Sequence, residues 1–287
     1  MSRVAPGWVL AIFVLTSPIV SASTAGPSSD ATNAIETGWR AYQNGQLAAA
    51  LAAYTNAART HPDDASLWYD LGCLQALTAD PTGAHAALER ALSLNPQHAA
   101  AHDALGQLLE QSGDRDAALA RYLTARNLEP YNPKFLRHAA RLLLQMNRTT
   151  EARPLLVELA GLTPRDAETH HQLGILALRA NEPDLAIHEF QRAVEEDPHL
   201  VMAWNGLALA HSRVGSFPEA AYALEQAMRL APEDANTQTN VGVLAARERR
   251  WDEARRAWQQ VLAQHPGFEP AAKNLETLRT ASAPVAP

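Results

Sequence analysis

His98 and His102 stand four residues apart, a spacing at which two imidazoles on one helix can share a metal ion. Pro96 breaks any helix just before His98, so the two straddle an element boundary and do not make a ligand pair. His170 and His171 are adjacent and point to different faces of a helix. The single cysteine, Cys73, can form neither an intramolecular disulfide nor a cysteine zinc cluster. We read it as a small side chain within a helix, with a free thiol open to an intermolecular bond as the sharper alternative. Glu195 and Glu196 end a helix and are solvated. Asn147-Arg148-Thr149 fits an N-glycosylation acceptor, which has meaning only in a eukaryotic host. No glycine-rich phosphate loop occurs, and the residues imply no catalytic group, no metal and no cofactor.

What remains is the chemistry of recognition. Lys134, Arg137, His138 and Arg141 gather four basic side chains at helical spacing. Cations at i, i+3 and i+4 repel one another, so helix stability alone does not explain the cluster. Arg179, Arg213 and Arg247 recur every 34 residues. Arginine suits carboxylates through its forked donors, which would serve an acidic ligand. The same three arginines also fall near helix C-termini, where the macrodipole favours a cation by ~0.3–1 kcal/mol with no ligand at all. Both readings stand at this point. The chain as a whole carries a net charge of −7 and has no long basic run. That excludes nucleic-acid binding, which needs clustered cations to release the counterions of phosphates.

These side chains are positioned by a repeated unit. Pro62, Pro96, Pro130, Pro164, Pro198, Pro232 and Pro266 are each 34 residues apart. With each proline at place 32, units begin at Ala31, Ala65, Ala99, Pro133, Ala167, Val201 and Ala235. Place 20 is alanine in all seven units, and place 8 is always glycine or alanine. Place 24 is always large and apolar, from Tyr54 to Trp258. Places 20, 24 and 27 follow the i, i+4, i+7 face of one helix, and places 4, 7, 8 and 11 that of another. The tiny places let the two helices of a unit approach, and place 24 fills the gap between neighbouring units. Thr82, Asp116, Thr150, Asp184 and Asp252 sit where the second helix needs an N-cap. The proline then ends that helix, lacking an N–H and clashing with the preceding turn.

The 34-residue period with these residues resembles the tetratricopeptide repeat, and the stretch 68–96 carries its tryptophan, Leu-Gly pair, alanines and proline. The resemblance covers seven units: 31–64, 65–98, 99–132, 133–166, 167–200, 201–234 and 235–268. It implies an all-α fold, a right-handed superhelical solenoid of seven helix-turn-helix repeats. Residues 269–280 read as a capping helix and 281–287 as a loose tail. The unit 133–166 departs from the pattern: Ala140 and Leu159 replace the usual glycine and alanine, and Pro154 enters the first turn of its second helix. Looser packing is expected there.

The resemblance further implies binding of a protein or peptide in a groove lined by the first helices, at places 2, 5, 6, 9, 12 and 13. Those places hold Lys134, Arg137, His138 and Arg141, then His171 and Arg179, then Asn205 and Arg213, then Asn240 and Arg247. The earlier units offer Trp39, Tyr42, Tyr69, Asp70, Asp103, Gln107 and Glu110. We expect a partner with an acidic or carboxylate-bearing segment at the basic end. A binding module for an anionic polysaccharide is the alternative.

Residues 1–22 have the three parts of a secretory signal: Arg3, an apolar run from Trp8 to Val20, and small residues at a cleavage site. A mobile lead-in follows at 23–30. The expected location is periplasmic or secreted. An uncleaved signal anchoring the chain to the membrane is the alternative, although the run is short against the ~20 residues of a span and Pro18 interrupts it.

Overall fold

A computed structural model of the chain describes residues 29–281. The expected signal, residues 1–22, and the tail from residue 282 lie outside the described residues. Among the described residues there are fifteen helices and no strand. None of these helices is long and apolar enough to cross a membrane.

The helices fall into two compact units, divided between Arg148 and Thr149. The first holds α1 (Ser29–Gln43), α2 (Leu47–Thr60), α3 (Ala65–Leu77), α4 (Pro81–Leu94), α5 (Ala99–Ser112), α6 (Arg115–Leu128) and α7 (Pro133–Gln145). The second holds α8 (Thr149–Leu162), α9 (Ala167–Arg179), α10 (Pro183–Glu196), α11 (Val201–Val214), α12 (Phe217–Leu230), α13 (Ala235–Arg247), α14 (Trp251–Gln264) and α15 (Glu269–Ala281). So α1 starts two residues before the expected first repeat, and the capping helix takes in Ala281.

Within each unit the chain is an all-α repeat solenoid. The two helices of a repeat pack together, as α5 does with α6 and α9 with α10. The second helix then leans on the first helix of the next repeat, as α4 on α5 and α10 on α11. First helices also touch each other, α3 with α5 and α9 with α11 and α11 with α13, which leaves their outer sides as one face within each unit.

The tiny residue at place 8 makes room for the large one at place 24 of the same repeat. An added Cβ at Gly106 would lie 2.8 Å from the ring of Tyr122, and one at Gly242 would lie 2.4 Å from Trp258 Nε1. Tyr54, Leu88, Tyr122 and Phe190, all at place 24, are fully buried. Burying such a side chain contributes ~1.5–3 kcal/mol.

Second helices stop in a common way. The residue before the proline leaves the helix for an extended backbone: φ is −134° at Asn95, −132° at Asp197 and −130° at His265. Proline forbids the helical conformation to the residue before it. The proline carbonyl then accepts a hydrogen bond from place 4 of the next repeat. Trp68 and Trp204 donate Nε1–H to Pro62 and Pro198 at 2.9 Å, and Gln238 donates Nε2–H to Pro232 at 3.0 Å. His102 and His170 make the same contact through Nε2, at 3.0 Å to Pro96 and 3.2 Å to Pro164.

Two expectations about helix starts are corrected. The N-caps of second helices lie two residues earlier than Thr82, Asp116, Asp184 and Asp252: they are Asp80, Asp114, Glu182 and Arg250. Asp80 and Asp114 accept the amides of Gly83 and Ala117. Pro81 and Pro183 open their helices with φ already set, which brings the start forward. Thr150 likewise lies inside α8 and is not its cap. The early start of α8 also puts Pro154 inside the helix, beyond its first turn, where it removes a backbone N–H. This repeat, 133–166, contains the division between the two units. It is also the repeat in which place 4, Leu136, has no hydrogen to donate to the carbonyl of Pro130.

Candidate partner-binding site

In the first unit, the basic cluster on α7 meets acids from α5. Asp103 is fully buried, and its Oδ2 lies 3.0 Å from Lys134 Nζ. His138 Nδ1 is 2.6 Å from Asp103 Oδ1, and Gln107 Nε2 donates to Oδ2 at 2.8 Å. Further along the helix, Arg141 grips Glu110 with two parallel bonds of 2.6 and 2.7 Å. Tyr122 donates its hydroxyl to the same carboxylate at 2.8 Å. Burial works to raise the Glu110 carboxyl, but the bonds from Arg141 and Tyr122 prevail and hold it below the usual carboxylate range. Lys134, His138 and Arg141 therefore fasten α7 to α5 and α6. Arg137 lies exposed on the same helix.

The aromatic and acidic residues of the earlier repeats turn inward. Tyr69, Asp70 and Cys73 are buried. Cys73 is fully buried, out of reach of a thiol on another chain, and burial also raises its own thiol above the ordinary range.

The second unit is different. Its first helices α9, α11 and α13 line an open groove of about 580 Å³. His171, Arg179, Asn205, Arg213 and Asn240 all line it, so five of the ten expected residues come together here. Arg247 ends α13 beyond this lining. Ile175, Leu209 and Met202 supply apolar walls, and Met202 is 55% exposed.

The polar side chains form a chain across the groove. Asn240 Nδ2 donates to Asn205 Oδ1 at 3.1 Å, and Asn205 Nδ2 donates to Thr237 Oγ1 at 2.8 Å. Thr237 Oγ1 donates in turn to Asp234 Oδ2 at 2.7 Å. Asp234 also caps α13 by accepting the Thr237 amide at 2.8 Å. Burial would raise its carboxyl, but the groups of Thr237 and Asn236 hold it below the usual carboxylate range. Asn240 keeps its Oδ1 without a partner among the described residues. A free amide oxygen beside an amide N–H complements the N–H and C=O of an extended main chain.

The arginines divide by role. Arg213 Nη1 donates to the Leu178 carbonyl at 2.7 Å and so satisfies the C-terminal end of α9. Arg179, at that end, is exposed and makes no ion pair or hydrogen bond among the described residues. His171 is buried, with its ring 5.9 Å from Phe190 and its Nδ1 3.8 Å from Glu168 Oε1. A second hollow, of about 410 Å³ between α14 and α15, has its arginines paired locally, Arg255 with Asp252 and Arg279 with Glu276.

Sequence reasoning read the two ends of the groove separately and missed that, in the first unit, acids and bases pair. The signal was present, because Asp103 lies 31 residues before Lys134 and 35 before His138, and Glu110 lies 31 before Arg141. Those offsets bracket the period and bring facing places of adjacent first helices together.

Comparison with known proteins agrees with this architecture. Models described as tetratricopeptide repeat match residues 41–108, 104–167, 171–235 and 240–267. The BBSome complex member bbs-4 of Caenorhabditis elegans is 23% identical over 186 residues, covering 65% of this chain and 40% of that protein. The chain thus spans less than half the length of that relative. Among solved structures, YrrB, described as a tetratricopeptide-repeat protein with an unusual peptide-binding site, aligns with a TM-score of 0.59 at 20% identity. That alignment covers 64% of this chain and 95% of YrrB. The C-terminal part of a repeat protein from Cytophaga hutchinsonii aligns with a TM-score of 0.65 at 16% identity, over 84% of this chain and 99% of that one. With its period, its paired helices and these matches, the chain belongs to the tetratricopeptide repeat family.

Proposed function

We propose that the chain is an exported, non-catalytic scaffold that holds a partner protein by an extended, acid-bearing segment laid in the groove of the second unit. Arg179 carries the reading: it is an exposed cation with no internal partner among the described residues, at the rim of a groove that offers an open side-chain amide. An acid of the partner would meet Arg179, and its main chain would meet Asn240. The apolar walls at Ile175, Met202 and Leu209 favour a polypeptide over an anionic polysaccharide, whose surface is hydroxyl-rich. The peptide-binding site ascribed to YrrB adds support at the level of fold. Export rests on the three-part pattern of residues 1–22, with periplasm or cell exterior as the destination.

The test is capture from native envelope extract on immobilised wild-type chain beside Arg179→Glu. Arg179 has no side-chain partner to lose, and the charge reversal at the end of α9 costs only about 1–2 kcal/mol through the macrodipole, so a thermal melt is expected to show the variant folded. A protein retained by wild type and released by the variant supports the groove. Equal retention on both sinks it. Export is tested separately by fusing residues 1–30 to a leaderless alkaline phosphatase; an inactive fusion defeats that part of the reading.

A further inference from the structure

We propose that the groove of the second unit carries an apolar anchor pocket at Gly206 that takes a bulky aliphatic or aromatic side chain of the bound segment, next to the acid met by Arg179. This rests on the peptide-binding reading above and names what the peptide must contain.

The polar lining of the groove is interrupted on α11. At place 6 the neighbouring first helices of this unit carry Gln172 and Asn240, whereas α11 carries Gly206. No larger residue fits there. A Cβ on Gly206 would lie 2.4 Å from the ring of Phe190, which is fully buried and also fills the space over Gly174. Phe190 takes that space from behind, so α11 presents bare backbone and no polar side chain to the groove at Gly206. The groove lining that includes Gly206 also holds apolar side chains: Ile175 from α9, and Met202 and Leu209 from α11. Met202 is more than half exposed and offers a flexible, polarisable apolar side chain to whatever lies in the groove.

The charge beside the pocket sets the second requirement. Asp234 is the acid in the lining, and Thr237 and Asn236 occupy its carboxylate. It does not neutralise Arg179. Apolar floor and unpaired cation together fit a short motif in which a large apolar residue stands within a few residues of Asp or Glu.

The experiment is selection of a randomised twelve-residue peptide display library on the full chain and on Met202→Asp and Arg179→Glu. Both substituted side chains are exposed, and a thermal melt of each checks that the fold is kept. Wild type is expected to enrich peptides with a bulky apolar residue near an acid. Met202→Asp is expected to bind those peptides on the order of tenfold more weakly and to lose the apolar preference. Arg179→Glu is expected to lose the acidic preference and keep the apolar one. Enriched peptides that bind all three forms equally overturn the pocket and leave peptide binding intact. A library with no enrichment on any form overturns both.

Discussion

Arg141 and Arg179 both stand at groove places of first helices, yet one is consumed by the fold and the other is not. Arg141 reaches back one repeat and finds Glu110, whose carboxylate also serves Tyr122. Arg179 finds no acid among the described residues. The difference lies in the acids of each unit's groove: α5 offers Asp103 and Glu110 to α7, whereas Asp234, the acid in the lining of the second groove, caps α13 and is already satisfied. A basic stripe in a repeat protein is thus two different things, depending on which acids of the same unit stand free to meet it.

The largest effect that separates the two regions concerns Asp103. It is fully buried and accepts from Lys134, His138 and Gln107. Asp103→Ala is expected to cost about 2–3 kcal/mol, because three donors lose one acceptor inside the unit. Arg179→Ala is expected to change stability by no more than about 1 kcal/mol, the share of the macrodipole at the end of α9. Urea unfolding of both variants checks the pair. Similar losses from both would show that the second groove is also held by its charges.

Acid should sharpen the same contrast. The folded-state pKa of Glu110 is lowered, so its pairing with Arg141 contributes fully above the unfolded value of about 4.3 and is lost as pH falls through the folded one. Glu110→Gln should therefore destabilise the chain at pH 6. Its deficit should shrink toward zero as pH falls below about 4. Melting curves of wild type and variant across this acid range read this directly, and a deficit independent of pH would remove the ion pair from the account. Arg141 is about half exposed, so solvent screening keeps the effect at the lower end, about 1 kcal/mol.

Much of this was legible before the structure, and the rest was hidden for identifiable reasons. The period and places 8, 20, 24 and 32 were readable because one residue type, or one size, serves each place. Place 4 was not, because tryptophan, histidine and glutamine share only an N–H at reach of the proline carbonyl. The groove places were readable from helical geometry, and His171, Arg179, Asn205, Arg213 and Asn240 do converge. The consumption of Lys134, His138 and Arg141 was not, since it depends on side chains one repeat away. Gly206 passed unnoticed because its meaning lies in the position of Phe190 behind it.

The smallest expected effect compares the two units at a matched position. Place 15, the turn between the two helices of a repeat, adopts a left-handed backbone in all seven repeats: φ is 72° at Gly45, 91° at Gly113 and 82° at Gly215, but also 60° at Ala79, 58° at Asn147, 59° at Asn181 and 63° at Arg249. Asparagine tolerates this region through its short polar side chain, whereas alanine and arginine do not. Ala79→Gly in the first unit and Arg249→Gly in the second remove the same steric clash. The gain is partly offset by the greater freedom of glycine in the unfolded chain, leaving about 0.5–1 kcal/mol for each. The side chain of Ala79 is a methyl group with no hydrogen bond to lose, so its gain reports the backbone alone. Arg249→Gly should match it if the turn is the shared cause, and thermal melts of the two variants decide. A gain at Ala79 with a loss at Arg249 would show that the arginine side chain stabilises the second unit by more than its backbone strains it.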